Sequence, residues 1–198
     1  MTDIWENKTW WEQKDHPHRK VIVDLIKSAN PESILELGCG YGQNLYNIKK
    51  AIPNIKAVGI DINENPIKEG LKETKSEGID VDMSVKDILT TDFPEKSFDV
   101  VLTDAVLLMM ELKEEQIVGV IQKIVDTAKK KIVLCEWHDD RIDLPGFDVS
   151  IGNVRIARNY IKLLQFCGAK NIVARKVTPE EWTSFKWQQY GYYITANL

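Results

Sequence analysis

The stretch Ser33-Ile-Leu-Glu-Leu-Gly-Cys-Gly-Tyr-Gly42 decides the fold of this chain. Its mostly apolar part, Ile34 to Leu37, indicates a short strand that is buried on both faces. Three glycines then alternate at positions 38, 40 and 42, and an amphipathic segment from Leu45 onward indicates a helix. Glycines at this spacing let the backbone turn tightly and come close to a ligand. The strand, the turn and the helix N-terminus together predict a nucleotide site.

A second buried strand, Ala57-Val-Gly-Ile-Asp61, ends in a carboxylate nineteen residues after Gly42. A carboxylate there can accept hydrogen bonds from both ribose hydroxyls, and a charged hydrogen bond contributes roughly 1.5–3 kcal/mol. Because NAD and other adenosine cofactors share that ribose, Asp61 does not discriminate between them. Gln43 does discriminate between them, since a dinucleotide-binding fingerprint needs a small residue at this position. Gln43 therefore disfavours NAD. Glu36 also disfavours a pyrophosphate and favours a ligand with positive charges.

The segment Glu36-Leu-Gly-Cys-Gly-Tyr-Gly42, followed by Asp61, resembles the first two motifs of the class I S-adenosylmethionine-dependent methyltransferases. The later motifs follow in order, and the resemblance covers roughly residues 30 to 136. It implies an α/β fold, a three-layer sandwich around a seven-stranded, mostly parallel sheet of order 3-2-1-4-5-7-6 with only the last strand antiparallel. It also implies S-adenosyl-L-methionine as cofactor and S-adenosyl-L-homocysteine as product.

The resemblance also implies which residues hold the cofactor. The glycine loop and helix N-terminus would take the methionine carboxylate, Glu36 the ammonium and Asp61 the ribose. Asp87 stands where the family meets adenine, although an aspartate after a strand is also a common turn residue. The full set of expected cofactor-binding residues is Glu36, Gly38, Cys39, Gly40, Gly42, Asp61, Ile62, Asp87, Ile88 and Asp104.

Two residues are catalytic candidates. Asp104 ends the fourth predicted strand, and ligands of open α/β sheets bind beyond the carboxyl ends of strands, so topology places Asp104 near the chemistry. His138 follows the fifth strand, and an imidazole with an ordinary pKa near 6.5 suits a general base; a solvated loop histidine is the alternative. DNA and amide methyltransferases carry an Asn/Asp-Pro-Pro-aromatic motif at this position, whereas this chain has Asp104-Ala-Val-Leu. The difference disfavours a nucleic-acid base as the methyl acceptor.

The whole chain is expected to be one methyltransferase domain. Residues 1–30 form an N-terminal arm and helix, 31–136 the cofactor-binding core, 137–170 a substrate-side loop and helix, and 171–198 the C-terminal strands. The arm carries Trp5, Trp10 and Trp11, which form either a lid over the site or a packed edge of the domain. Arg141, Arg155 and Arg158 could hold an anionic acceptor or could solvate their loop and helix.

Several element boundaries follow from local patterns. Apolar periodicity predicts a helix from Glu111 to Lys130, closed by basic residues that complement its dipole, and another that includes Ala157 and Tyr160. A capping box at Thr178–Glu181 predicts a helix start, and Gln188 to Ala196 alternates as the last strand.

Composition narrows the function classes. The 198 residues carry a formal charge of −4 with a pI near 5.5, which makes nucleic acid an unlikely partner. The three cysteines are scattered and do not have the spacing of metal ligands, so we expect no metal. Their scatter fits a reducing compartment, and no apolar run is long enough to span a membrane. We therefore expect a cytoplasmic enzyme. A small-molecule methyl acceptor is preferred. The alternatives are a protein or RNA methyltransferase, a non-catalytic cofactor-binding subunit and, least favoured, an NAD(P)-dependent oxidoreductase; the oligomeric state stays open.

Overall fold

A seven-stranded sheet between two layers of helices organises the computed structural model, which describes residues 13–142, 149–150 and 155–198. Trp5, Trp10 and Trp11 lie outside the described residues, so the structure does not test their prediction as a lid. The helices are α1 Pro17–Lys27, α2 Gln43–Ala51, α3 Glu64–Ser76, α4 Glu114–Thr127, α5 Tyr160–Phe166 and α6 Phe185–Tyr190. The strands are β1 Ser33–Leu37, β2 Lys56–Asp61, β3 Asp82–Val85, β4 Phe98–Asp104, β5 Ala128–Trp137, β6 Val149–Ser150, β7 Ile156–Ala157, β8 Ile172–Lys176 and β9 Gly191–Asn197.

The strand order of the large sheet is β3-β2-β1-β4-β5-β9-β8. The first five strands pair in parallel, and β9 runs antiparallel to both β5 and β8. The short strands β6 and β7 form a separate two-stranded sheet that the sequence did not predict. Among the seven strands of the large sheet the order is therefore 3-2-1-4-5-7-6, and the predicted fold is confirmed.

Two apolar clusters hold the three layers together, one on each face of the sheet. Alternate residues of β1 supply both, since Ile34 packs with α1, α2 and α3 whereas Leu35 packs with α4 and α5. Both side chains are fully buried, and each buried leucine or isoleucine contributes about 1.5–3 kcal/mol. Because both faces of the sheet are covered by apolar side chains, the polar side chains lie at the carboxyl ends of β1 to β4.

Several predicted boundaries are wrong. Helix α4 ends at Thr127, and Lys129 and Lys130 lie in β5, where both pair with the buried carboxylate of Asp99. The predicted helix around Ala157 begins only at Tyr160, because the backbone N–H of Arg158 donates to Trp137 and extends the sheet pairing.

The capping interaction at Thr178 is present, since its N–H donates to Glu181 at 2.9 Å, but it closes a single turn rather than opening a helix. The helix that follows, α6, begins at Phe185, and the last strand begins at Gly191 rather than Gln188. None of the helices in the described part of the chain has the length and hydrophobicity needed to cross a bilayer.

Candidate active site

A cavity of about 460 Å³ opens at the carboxyl ends of β1 to β4. Four acids line it, and they come from four adjacent strands in the order of the sheet: Asp87 after β3, Asp61 at the end of β2, Glu36 in β1 and Asp104 at the end of β4. Neighbouring strands lie about 4.8 Å apart, so this row of acids spans roughly 14 Å. The cavity therefore offers one long wall of carboxyl groups.

The glycine loop between β1 and α2 forms the floor of the cavity. Gly38, Gly40 and Gly42 all adopt positive φ angles of 74°, 51° and 73°, which only glycine adopts without strain. A Cβ on Gly38 would lie 2.2 Å from Val106, whereas one on Gly40 would enter open space. Gly38, Cys39 and Gly40 line the cavity as the sequence predicts. Gly42 lies behind the wall, where a Cβ would meet the sulfur of Met83 at 2.4 Å.

Asp61 and Asp87 occupy the part of the cavity beside β2 and β3. Asp61 accepts a hydrogen bond from the Gly40 N–H at 2.9 Å, so the acid fixes the glycine loop while it faces the cavity. Asp87 accepts from the Leu89 N–H at 2.8 Å, so it closes a turn and also lines the cavity. Ile62, which is 65% exposed, and Ile88 lie beside these acids in the cavity wall.

A buried polar network connects the two central acids. The side-chain amide of Asn44 donates to Glu36 Oε1 at 2.7 Å and to Asp104 Oδ2 at 2.9 Å. Arg19 donates to Asn44 Oδ1 at 2.7 Å, and its Nη1 lies 3.6 Å from Asp104. Glu36 Oε2 and Asp104 Oδ1 are buried and have no hydrogen-bond partner among the described residues. Both residues also line the cavity.

His18 and Arg19 of α1 also belong to the site and were not predicted from the sequence, although a signal was present. These two residues continue the buried stripe of α1, because His18 precedes Ile22 and Ile26 by one and two turns and Arg19 precedes Val23 by one turn. A charged residue on an apolar stripe needs a buried partner. His18 Nε2 lies 3.1 Å from Asp104 Oδ2, and both new residues line the cavity.

The pKa values of the two acids move in opposite directions. Burial raises the pKa of Glu36 to about 8, against the lowering effect of the Asn44 hydrogen bond. Although burial opposes it, the charges and hydrogen bonds of His18, Arg19 and Asn44 hold the pKa of Asp104 well below its usual range. Burial lowers the pKa of His18, against the raising effect of Asp104. At neutral pH the site therefore contains a protonated Glu36 and an ionised Asp104.

An aromatic stack forms the wall opposite the glycine loop. The indole rings of Trp182 and Trp187 lie parallel with centroids 4.1 Å apart, and His18 stacks on Trp182 at 4.3 Å. Both tryptophans line the cavity. His16 contacts this stack at 4.7 Å and lies within hydrogen-bond distance of His18. The stack presents its edge to the cavity, since Trp182 has a neighbouring ring on each face.

The segment after β4 supplies the apolar remainder of the wall, through Val106, Leu108, Met109 and Met110. The fully buried Glu136 accepts hydrogen bonds from the backbone N–H groups of residues 106, 107 and 108, at 3.1–3.2 Å. Arg158 donates to the carbonyl oxygens of Leu107 and Met110. The two side chains hold this segment from both sides, and sequence reasoning assigned Glu136 no function.

The structure places His138 away from the other candidates. Its ring is buried, Nδ1 accepts from the backbone N–H of Tyr160 at 3.2 Å, and it does not line the cavity. His138 is therefore corrected from a catalytic candidate to a residue that fixes the start of α5. Of the three arginines, Arg155 alone lines the cavity. Arg141 pairs with Asp139. Arg158 is fully buried, so it neither faces solvent nor lies where it could hold an anionic methyl acceptor.

Residues 34–131 match the model of a methyltransferase-domain family. The chain is similar to this family over that stretch, which is just under half of its length. The aklanonic acid methyltransferase DauC of Streptomyces sp. (strain C5) is 33% identical over 88 residues, which are 43% of this chain and 40% of that enzyme. The chain spans 39% and 40% of the length of two of the curated relatives it matches, and 18% of the phosphoethanolamine N-methyltransferase of Triticum aestivum.

Solved structures of methyltransferases share the fold over almost the whole chain. An S-adenosylmethionine-dependent methyltransferase from Mesorhizobium loti is 15% identical, with a TM-score of 0.65 over 93% of this chain and 100% of that one. Human N-acetylserotonin methyltransferase, solved in complex with S-adenosylmethionine, is 16% identical, with a TM-score of 0.64 over 91% of this chain and 51% of that one. At these identities the likeness concerns the fold alone.

Proposed function

We propose that this chain binds S-adenosyl-L-methionine and transfers its methyl group to a small-molecule acceptor, leaving S-adenosyl-L-homocysteine. The observation that carries the proposal is the row of four acids along one cavity, together with similarity to the methyltransferase-domain family. The row spans roughly 14 Å, the length scale of an adenosine joined to an amino acid. S-Adenosylmethionine supplies a methyl group activated by a sulfonium.

Each acid suits one part of this cofactor. Asp87, with Ile62 and Ile88 beside it, suits adenine, and Asp61 suits the two ribose hydroxyls. Glu36 and Asp104 suit the positively charged amino-acid end, because each has a buried oxygen without a partner among the described residues. Cys39 and the neighbouring glycines leave room for the backbone to approach the ligand. A diphosphate would meet four carboxyl groups, so the same wall disfavours NAD(P).

Asp104 would act through its charge. The carboxylate lies at the end of β4 in the cavity lining, and its pKa is held well below the usual range. A carboxylate of such low pKa is a weak base, so Asp104 would attract positive charge or accept a hydrogen bond from the acceptor. Alignment of the reactants can supply roughly 7–11 kcal/mol of the barrier reduction. His138 has no part in this proposal.

The acceptor would bind between the segment after β4 and the aromatic stack. Val106, residues 108–110 and the two tryptophans Trp182 and Trp187 line this part, and Arg155 lies in the same lining, where it would suit a negative group. Helix α1 covers the cavity through His18 and Arg19, which favours a small molecule over a polymer. DauC and the demethylmenaquinone methyltransferase of Thermotoga maritima carry small molecules in their names, which supports this choice.

Calorimetric titration tests the cofactor assignment. S-Adenosylmethionine and S-adenosylhomocysteine should bind the purified protein, and NADH should not. Asp61→Ala should weaken binding about 10- to 100-fold, because it removes charged hydrogen bonds of roughly 1.5–3 kcal/mol. Asp82→Ala is the matched control, since Asp82 is an exposed aspartate on β3 that does not line the cavity. Binding of NADH, or no binding of either sulfur ligand, would refute the proposal.

A further inference from the structure

Glu36 and Asp104 form a buried pair of carboxyl groups bridged by a single nitrogen. Asn44 Nδ2 donates one hydrogen bond to each, at 2.7 and 2.9 Å. Glu36 is 1% exposed, and the side chain of Asp104 is 7% exposed. Two carboxylates this close in a low-dielectric interior repel each other strongly, so such pairs hold one proton between them.

The neighbouring groups decide where that proton lies. From α1, Arg19 and His18 both face Asp104, at 3.6 and 3.1 Å, and stabilise its ionised form. Asp61 of β2 adds negative charge near Glu36, while the buried thiols of Cys39 and Cys135 stay neutral because burial raises their pKa values. The proton therefore lies on Glu36, whose Oε2 has no partner among the described residues and whose side chain lines the cavity.

We propose that the Glu36–Asp104 pair keeps this proton until the ammonium group of a ligand replaces it, so that cofactor binding releases one proton. The inference rests on the proposed function, since the ammonium would be that of S-adenosylmethionine. A positive charge placed between the two partnerless oxygens compensates both carboxylates, and Glu36 then ionises. A ligand without a cation in this position cannot displace the proton, so the exchange also selects for a cationic ligand.

The pKa of Glu36, about 8, fixes the expected size of the effect. At pH 7 binding should release about 0.8 proton, because Glu36 gives up about 0.9 and the ligand's amino group takes up about 0.1; at pH 9, where Glu36 is already ionised and that amino group is mostly neutral, binding should take up protons instead. Affinity should rise with pH below 8, because the unbound protein holds the extra proton. Between pH 6 and pH 7 the dissociation constant of S-adenosylmethionine should fall about ninefold. In this range the ligand's own ammonium is largely charged.

The experiment is calorimetric titration of the whole chain with S-adenosylmethionine at pH 7 in phosphate and in Tris, whose ionisation enthalpies differ. The difference in observed heat gives the number of protons released. Glu36→Gln should abolish the release and remove the pH dependence of affinity. Glu64→Gln is the matched control, since it makes the same change on the exposed face of α3 and should release protons like the parent.

A second measurement needs no cofactor. Carbon-13 NMR of glutamate carboxyl groups in the ligand-free protein should show two groups that titrate high, Glu136, whose pKa burial raises to about 7, and a second one near pH 8 that is missing from Glu36→Gln. Binding without proton release, or release that persists in Glu36→Gln, would overturn the proton exchange while leaving the cofactor assignment intact. Absence of S-adenosylmethionine binding at every pH would instead refute the proposed function itself.

Discussion

The two halves of the cavity are built in different ways. The half beside β1, β2 and β3 consists of residues close in sequence, namely the glycine loop and the acids that follow two consecutive strands. The half beside β4 gathers α1, residues 105–110 and the stack of Trp182 on Trp187 from across the chain. Local backbone conformation shapes the first half, whereas long-range buried hydrogen bonds hold the second. Each half should therefore fail under a different kind of substitution.

The largest expected effect lies in the second half. Glu136→Ala leaves three backbone N–H groups of residues 106–108 without their buried acceptor. Each such group costs about 1–3 kcal/mol, so the free energy of unfolding in urea should fall by about 3–5 kcal/mol. Glu95→Ala, at an exposed loop position, should change it by less than about 0.5 kcal/mol. A stable Glu136→Ala protein would mean that Arg158 alone holds this segment.

The next effect separates two glycines of the first half. Gly38→Ala combines a positive φ with a Cβ 2.2 Å from Val106, and should cost about 3 kcal/mol of stability. Gly40→Ala has the same kind of backbone strain but open space around its Cβ, so the cost should be about 1 kcal/mol.

Thermal unfolding and cofactor titration of both glycine variants check this pair. Gly40→Ala should stay folded and lose affinity for S-adenosylmethionine, because its methyl group enters the cavity. Equal loss of stability in the two variants would show that strain, and not the contact with Val106, dominates the loop.

The smallest effect concerns pH. Burial, followed by the charge of His18, lowers the pKa of His16 to about 4, so the folded protein binds fewer protons here than the unfolded chain. Stability from this group is fully present above pH 6.5 and is lost as the pH falls toward 4. Because His16 is partly exposed, we expect a loss of only about 1 kcal/mol. In urea unfolding, the free energy of unfolding of His16→Gln should change less between pH 6.5 and pH 4 than that of the parent protein. An unchanged pH dependence would contradict the assignment.

The same contrast explains what the sequence could predict. The strand order followed from the motif order, and the glycine loop, Asp61 and Asp87 were recognisable because each sits a fixed number of residues from a strand end. His18 and Arg19 were visible only as charges on the buried stripe of α1, and their partner Asp104 is 86 residues from His18. No local pattern identifies such a partner.

His138 shows the opposite error. A histidine after β5 suggested a general base, yet the parallel bridge from His138 to Arg158 draws its ring beneath α5, where it accepts the Tyr160 N–H. Glu136, two residues earlier, was passed over as the end of a buried strand. The partners of a polar residue at the end of β5 depend on how the following loop returns to the sheet, and that return is not encoded in local spacing.

A crystal structure of the protein with S-adenosylhomocysteine is the most direct test of the central claim that the four acids hold one extended cofactor. We expect adenine beside Asp87, ribose hydroxyls on Asp61, and the amino group between Glu36 and Asp104. A ligand bound in the reverse direction, or outside the row of acids, would contradict the account.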